Sequence, residues 1–259
     1  MKASLGHVRT TLRRSSIGEP LAAARRKLLG TTAPVRNRLI GARVRVLGGG
    51  NRLTYARVRD LHRLTITITG CGNTISIAPE SCVDGLTIQI RGDDNTVAIG
   101  PSRIEDTNVA VTGDRNRVTI AKNCRILRLG AVCEDSGNSI SVGAGSEFAG
   151  SVELAAMEGT AITVGENCLF SGGIHMRTGD SHAITDLNGV RINPSRSITI
   201  GEHVWVGMNV LVLKGANVPP ACVVGACAVV TKRFEGMHCA IAGNPARVVR
   251  EDLDWRVER

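Results

Sequence analysis

Residues 198–231 read ITIGEHVWVGMNVLVLKGANVPPACVVGACAVVT. Every sixth residue from Ile200 is aliphatic: Ile200, Val206, Val212, Val218, Val224 and Val230. Two places before each stand Ile198, Val204, Val210, Ala216, Cys222 and Ala228, all apolar. A six-residue period matches neither the 3.6 of a helix nor the 2 of a long strand. It matches a chain that turns a corner every six residues and points one side chain inward from each flat stretch. Three such stretches close a triangular coil of ~18 residues, and stacked coils pair their backbones ~4.8 Å apart. The fold class this predicts is all-β, a parallel β-solenoid.

Upstream the repeat is longer. Asn51, Asn73, Asn95, Asn116 and Asn138 follow one another at gaps of 22, 22, 21 and 22 residues. An apolar pair follows each, such as Ile75 and Ile77 or Val97 and Ile99. The intervening turn reads Gly92-Asp93-Asp94-Asn95 or Gly113-Asp114-Arg115-Asn116. We read residues 44–176 as coils of this ~22-residue period, each a short coil with a four-residue bulge at one corner. Asparagine tolerates left-handed backbone, and stacked asparagines bond along a column. They are expected to form a structural ladder and not a site.

The period continues with other letters. Twenty-two residues past Asn138 is Thr160, and twenty-two further is His182. Its turn, Gly179-Asp180-Ser181-His182, copies the earlier ones and puts histidine in the ladder position. Ile184 keeps the first apolar place, but Asp186 breaks the second. Residues 177–191 are therefore expected to leave the coil as a loop. Regular six-residue coils are expected over 192–233, resuming at Ile192 and Ile198. Residues 234–259 read as a loop and a short helix. Asn244 would cap it and Pro245 would start it, with Val249 and Leu253, and Val248 and Trp255, at helical spacing.

The net charge of +9 is uneven. Residues 1–45 hold eleven Lys/Arg against the single acid Glu19, so residues 46–259 sum to −1. Residues 1–43 thus read as a basic arm, with a short helix over Glu19–Leu29. It would cap the open first coil or contact an anionic membrane surface. The eight cysteines show no metal spacing and are expected to be small buried hydrophobes in a reducing compartment. No run of ~18 apolar residues spans a membrane. The N-terminus has no uninterrupted apolar core of a secretory signal, so a cytoplasmic location is expected, peripheral to the inner membrane face if the arm binds it. No nucleic-acid partner is expected.

Ile200-Gly201-Glu202-His203-Val204-Trp205-Val206-Gly207 resembles the IG-x-x-V-W-I-G signature of hexapeptide-repeat acyltransferases. Val224-Gly225-Ala226, Val230-Thr231-Lys232 and Ala242-Gly243-Asn244-Pro245-Ala246-Arg247 resemble that family's C-terminal end. The resemblance covers about residues 160–250. It implies a left-handed parallel β-helix, a homotrimer, and transfer of an acyl group from coenzyme A to a hydroxyl or amine.

His182 is the leading catalytic candidate. Attack of a hydroxyl on a thioester needs a base, and histidine titrates near neutral pH. Arg177-Thr178-Gly179-Asp180-Ser181-His182 also resembles the R-T-x-D-x-H loop of sugar O-acetyltransferases, in which the histidine is the base. Asp180 would orient the imidazole, or serve only as the turn aspartate seen at Asp93 and Asp114. Trp205 lies between inward-facing neighbours, so it faces out. The resemblance places it near the active site at a subunit boundary, and trimer packing alone would explain it equally. The resemblance also puts Lys232 beside the nucleotide phosphates of coenzyme A, and Gly207, Gly225 and Ala226 along its pantetheine arm. Arg247 and Arg250 are weaker phosphate candidates.

His175, His182 and His203 raise a zinc reading, since γ-class carbonic anhydrases share the fold. The local pair of histidines five apart is missing, so no metal is expected. The function expected is direct O-acetyl transfer from acetyl-coenzyme A to a sugar or polysaccharide hydroxyl. A non-catalytic solenoid that binds a saccharide or a protein is the alternative.

Overall fold

The computed structural model describes residues 41–55 and 60–258. The arm expected over residues 1–43 lies outside them, save for its last three residues. The described chain is all-β: about eight turns of a solenoid with three flat faces. The first face includes Arg43–Leu47, Leu129–Glu134, Val152–Met157, Ile174–Arg177, Leu211–Leu213 and Val229–Val230. The second is an eight-stranded sheet from Arg52–Thr54 to Asn217–Val218. The third runs through Arg125–Leu127, Leu169–Phe170, Trp205–Val206 and Val223–Val224 to Ala240–Ala242. In the early coils the third and first faces are carried by one long strand, such as Cys82–Arg91.

The register reproduces the sequence periods. Ile75 pairs with Val97, Val97 with Val118, Val118 with Ile140 and Ile140 with Ile162. Ile162 then pairs with Ile198, a step of 36 residues, because a loop intervenes. Below it the steps are 18: Ile200 pairs with Val218, Val206 with Val224, and Val212 with Val230. The inward side chains form one continuous aliphatic column, with Phe148 and Phe170 as its largest fully buried members. Each such side chain contributes ~1.5–3 kcal/mol by leaving water, and each coil packs only on its neighbours.

The first corner, between the first and second faces, carries the asparagine ladder. The Oδ1 of Asn73 accepts from the backbone N–H of Asn95 at 2.9 Å and from its Nδ2 at 3.0 Å. The same contacts join Asn51 to Asn73 and Asn116 to Asn138. The ladder asparagines are not themselves left-handed. The residue before each is, as in Asp94 at φ 56° and Arg115 at φ 54°. That residue makes the turn, and the asparagine points inward, where Asn73, Asn95, Asn116 and Asn138 are at most 2% exposed. Gly92, at φ 137°, has no room for a side chain, since a Cβ would overlap the carbonyl of Gly113 in the next coil.

A second ladder occupies the second corner, where no sequence signal was read. Ser81, Ser102, Cys124, Ser146 and Cys168 each donate to a backbone carbonyl of the coil below. Serine and cysteine exchange there because each offers one donor of similar size. The cysteines are free, and most are buried. Burial pushes the Cys133 thiol up to about 12 and the Cys168 thiol up to about 11, which leaves both unreactive.

Two expectations are corrected. No terminal helix forms. Arg247–Arg250 is a strand paired antiparallel with Ala240–Ala242. The edge of Ala240–Ala242 would otherwise be unpaired, and the β-branched Val248 and Val249 favour extended backbone over a helix. The regular coils resume at Ile198 and not at Ile192. Ile192 is 60% exposed and belongs to the loop.

Candidate active site

The strand Ile174–Arg177 ends at Thr178, which is fully buried. Its Oγ1 accepts from Met157 N at 3.0 Å and lies 2.6 Å from Thr160 Oγ1. In register Thr178 follows Ala156 on the first face, one place past the Ala155–Arg177 pair, and its hydroxyl meets that of Thr160. Gly179 is buried against Ser195 and Met157 so closely that a Cβ would overlap both. Ser181 keeps the left-handed turn residue at φ 65°. The next residue, His182, does not enter the ladder as the spacing predicts. It is exposed, outside the column.

The chain leaves the coil at Asp180 and returns at Ser197. Its neck is closed by Arg196 N donating to Thr178 O at 2.8 Å. Asn193, 6% exposed, ties the loop together. Its Nδ2 donates to Asp180 Oδ2 and to the carbonyl of His182, both at 2.8 Å. Its Oδ1 accepts from Ile184 N at 2.7 Å. Lys214 Nζ pairs with Asp180 and reaches the carbonyl of Asn193 at 3.3 Å. The Lys214 ammonium, and then the Asn193 amide, hold the Asp180 carboxyl below its usual range. Arg191 grips Glu158 in the coil above through two bonds of 2.7 and 3.0 Å. That contact brings the Glu158 carboxyl down to about 2. Beyond Asn193 the loop is a short hairpin, bridged at Thr185 and Arg191, with Ile184, Leu187, Val190 and Ile192 all more than half exposed.

Asp180 therefore does not touch the imidazole. Its carboxylate goes to Lys214 and Asn193, and the link to His182 runs through Asn193 to the backbone. Among the described residues, no hydrogen bond or ion pair engages the His182 side chain. Sequence reading missed Asn193, Lys214 and the Arg191–Glu158 pair. The signal available was the Asn193-Pro194 dipeptide at the end of a loop, which marks a turn and not a clamp.

The remaining candidates lie elsewhere on the triangle. Gly207, Gly225 and Ala226 occupy the third corner, where Gly207 N donates to Val224 O at 2.8 Å. A Cβ on Gly207 would press on the backbone of Ala226. Trp205 stands outward on the third face, 38% exposed. Lys232 shares the first corner with the His182 loop and lines a cleft of about 500 Å³ with Arg196, Ser197, Gly215, Thr231 and Arg233. Among the described residues, no acid pairs with Arg196, Lys232 or Arg233. One chain thus brings Lys232 to the corner of His182 but keeps the third-corner set apart. The three histidines considered for zinc are also separate. His175 pairs with Glu153 on the first face, at 3.1 Å, and His203 with Asp254 at the second corner, at 3.0 Å.

No family model matches the chain. The polysialic acid O-acetyltransferase of Neisseria meningitidis is 35% identical over 171 residues, 58% of this chain and 79% of that enzyme. The chain belongs to the hexapeptide-repeat O-acetyltransferase family. The polysialic acid O-acetyltransferase of Escherichia coli O1:K1 is 37% identical over 81 residues, a stretch that spans 31% of this chain and 26% of that enzyme. The crystal structure of the polySia-specific acetyltransferase NeuO superposes with a TM-score of 0.67 at 26% identity, over 85% of this chain and 91% of NeuO. That of the polysialic acid O-acetyltransferase OatWY gives 0.61 at 26% identity, over 83% and 92%.

Proposed function

We propose that this chain transfers an acetyl group from acetyl-coenzyme A directly to a hydroxyl of an anionic polysaccharide of the polysialic acid kind. The observation that carries the reading is the unpartnered, exposed His182 on the one loop that leaves the described solenoid between strands of the first and second faces. His182 takes the proton of the acceptor hydroxyl as its oxygen bonds to the thioester carbonyl carbon. The C–S bond then breaks, and the departing thiolate recovers the proton from the imidazolium. Base catalysis of this kind supplies ~10²–10⁴ in rate. Asp180, with Lys214 and Asn193, fixes the loop that presents His182. The step needs no covalent enzyme intermediate and no metal, because the histidine itself is the base.

The donor is proposed to lie along Gly207, Gly225 and Ala226 with Trp205 beside it, and its nucleotide phosphates near Lys232. Arg196 and Arg233 support that placement, since three cations that no acid among the described residues neutralises attract an anion to one cleft. Mass spectrometry of polysialic acid after incubation with acetyl-coenzyme A tests the reading. Mass increments of acetyl groups are expected, and an unchanged polymer under conditions where the donor binds would refute it.

The coil is taken as left-handed, the hand that the family resemblance implies. A homotrimer is proposed because His182 and the third-corner residues of one chain do not meet. A neighbour laying its third corner against the first corner would bring them together, a heterologous contact that closes into a ring. The exposed Leu187 and Val190 of the loop, and Met208, Leu211 and Leu213 of the solenoid, are apolar surface for that contact. Light scattering at micromolar concentration is expected to give the trimer mass, and a monomer mass would reject the arrangement.

The basic arm is proposed as an electrostatic foot on the inner face of an anionic membrane, with the body in the cytoplasm. Deleting residues 1–18 is expected to leave turnover of a soluble acceptor nearly unchanged and to weaken binding to anionic vesicles, most visibly at low salt. Equal vesicle binding by both forms would rule the foot out.

A further inference from the structure

Aromatic residues are 2% of the sequence, and it has only two tryptophans. They meet. The rings of Trp205 and Trp255 lie 6.2 Å apart, tilted at 44°. Trp205 is 38% exposed, whereas Trp255 is 8% exposed. Trp255 stacks on the His203 ring at 4.6 Å and 12°, and its indole N–H donates to the His203 carbonyl at 2.9 Å. Asp254 completes the grip, 3.0 Å from His203 Nε2. The tail is led there by Leu253 N, which bonds the carbonyl of His238 at 3.0 Å. The last residues thus run back from the end of the solenoid to the coil that carries Trp205.

Packing of the core does not account for this contact. The apolar column is complete without it, and neither tryptophan fills the core. What the tail adds is a wall beside an outward indole whose other restraint is a long 3.5 Å contact to Ser171 Oγ. A large side chain on the outside of a strand otherwise samples several rotamers, and holding it beforehand removes the ordering cost from ligand binding.

We propose that Trp255 is a positioning residue for acetyl transfer: clasped on His203 by the C-terminal tail, it holds Trp205 in the orientation that receives the acyl donor. The inference rests on the reading of Trp205 as a donor contact. The clasp makes the tail a determinant of donor affinity, while the acceptor and the base at the first corner are untouched by it.

The test compares Trp255→Ala, Trp255→Phe, Trp205→Ala and the double alanine variant in the full chain. Steady-state kinetics are measured with acetyl-coenzyme A varied, and the melting temperature alongside. Trp255→Ala is expected to raise KM for the donor about threefold to tenfold, the worth of one immobilised side chain, with kcat little changed. Trp255→Phe, which keeps a ring against His203, should recover most of the loss. The double variant should bind donor no worse than Trp205→Ala alone, because the two act through one contact. In Trp255→Phe the sole tryptophan is Trp205, and donor binding should alter its fluorescence. A donor effect of Trp205→Ala without one of Trp255→Ala would overturn the clasp and leave the donor site standing. No donor effect of Trp205→Ala would overturn both. Additive losses in the double variant, or a phenylalanine variant as weak as the alanine, would show that Trp255 only stabilises the fold.

Discussion

His182→Asn is expected to lower acetyl transfer by ~10²–10⁴, equivalent to ~3–5 kcal/mol in the barrier, with the melting temperature unchanged. Asparagine keeps the size and polarity of an exposed turn residue and tolerates the neighbouring turn at Ser181. Among the described residues no hydrogen bond or ion pair engages the imidazole, and Asn193 holds the backbone carbonyl of residue 182 whatever its side chain. Donor binding should survive, because the residues proposed for it lie on the coils from Trp205 to Lys232. The deciding measurement is the initial rate of the variant beside its melt and its affinity for coenzyme A. A folded variant that keeps most of its rate would remove His182 from the chemistry.

Asn95→Leu is expected to destabilise the chain by about 2–5 kcal/mol. The substitution keeps the branching at Cγ, in a somewhat larger side chain, but removes an amide that accepts from Asn116 N at 2.8 Å and donates to Gly113 O at 2.9 Å and Asn73 Oδ1 at 3.0 Å. The Asn116 N–H and the Gly113 carbonyl would be stranded at a closed corner, and each stranded group costs ~1–3 kcal/mol. Asn51→Leu, at the more open end of the same ladder, should cost less because water can replace the lost partners. Urea unfolding of both variants checks the order. A loss at position 95 no larger than that at position 51 would mean that the ladder is not what secures this corner.

The solenoid could be read in the sequence because its period is rigid. One aliphatic at each sixth place, and one asparagine at gaps of 21 or 22, are set by the geometry of a corner. The same regularity misled at the boundary. Counting twenty-two from Thr160 lands on His182, but the chain leaves the coil before that corner is completed, and it is Ile198 that pairs with Ile162, so the histidine stands in solvent. That departure leaves its side chain exposed on the loop. The clamp could not be counted at all. Asn193, Lys214 and Glu158 meet through a loop that follows no period, and their partners lie 13 to 34 residues away in sequence. The terminal helix failed for a related reason. Its spacing was local, and the unpaired edge of Ala240–Ala242 is a tertiary feature that local spacing does not see.

The asparagine ladder runs from Asn51 to Asn138 and ends one coil above the loop, where Thr160 takes its place, which divides the molecule into two mechanical regimes. Upstream, each layer is riveted to the next by side-chain amides as well as by backbone. Downstream, the layers are shorter by four residues and the asparagine column is gone, with Asn217 Nδ2 donating to Phe234 O at 3.1 Å in its stead. Opening of such a stack propagates from its less secured end. The downstream layers are those proposed for the acyl donor, so donor handling is seated in the compliant half, and the loop is tied to both halves, to Glu158 above and to Lys214 below. With the donor there, entry and release of a long, flexible thioester would need only local breathing of the lower layers, while Arg191 on Glu158 keeps the His182 loop registered against the stiffer coil above.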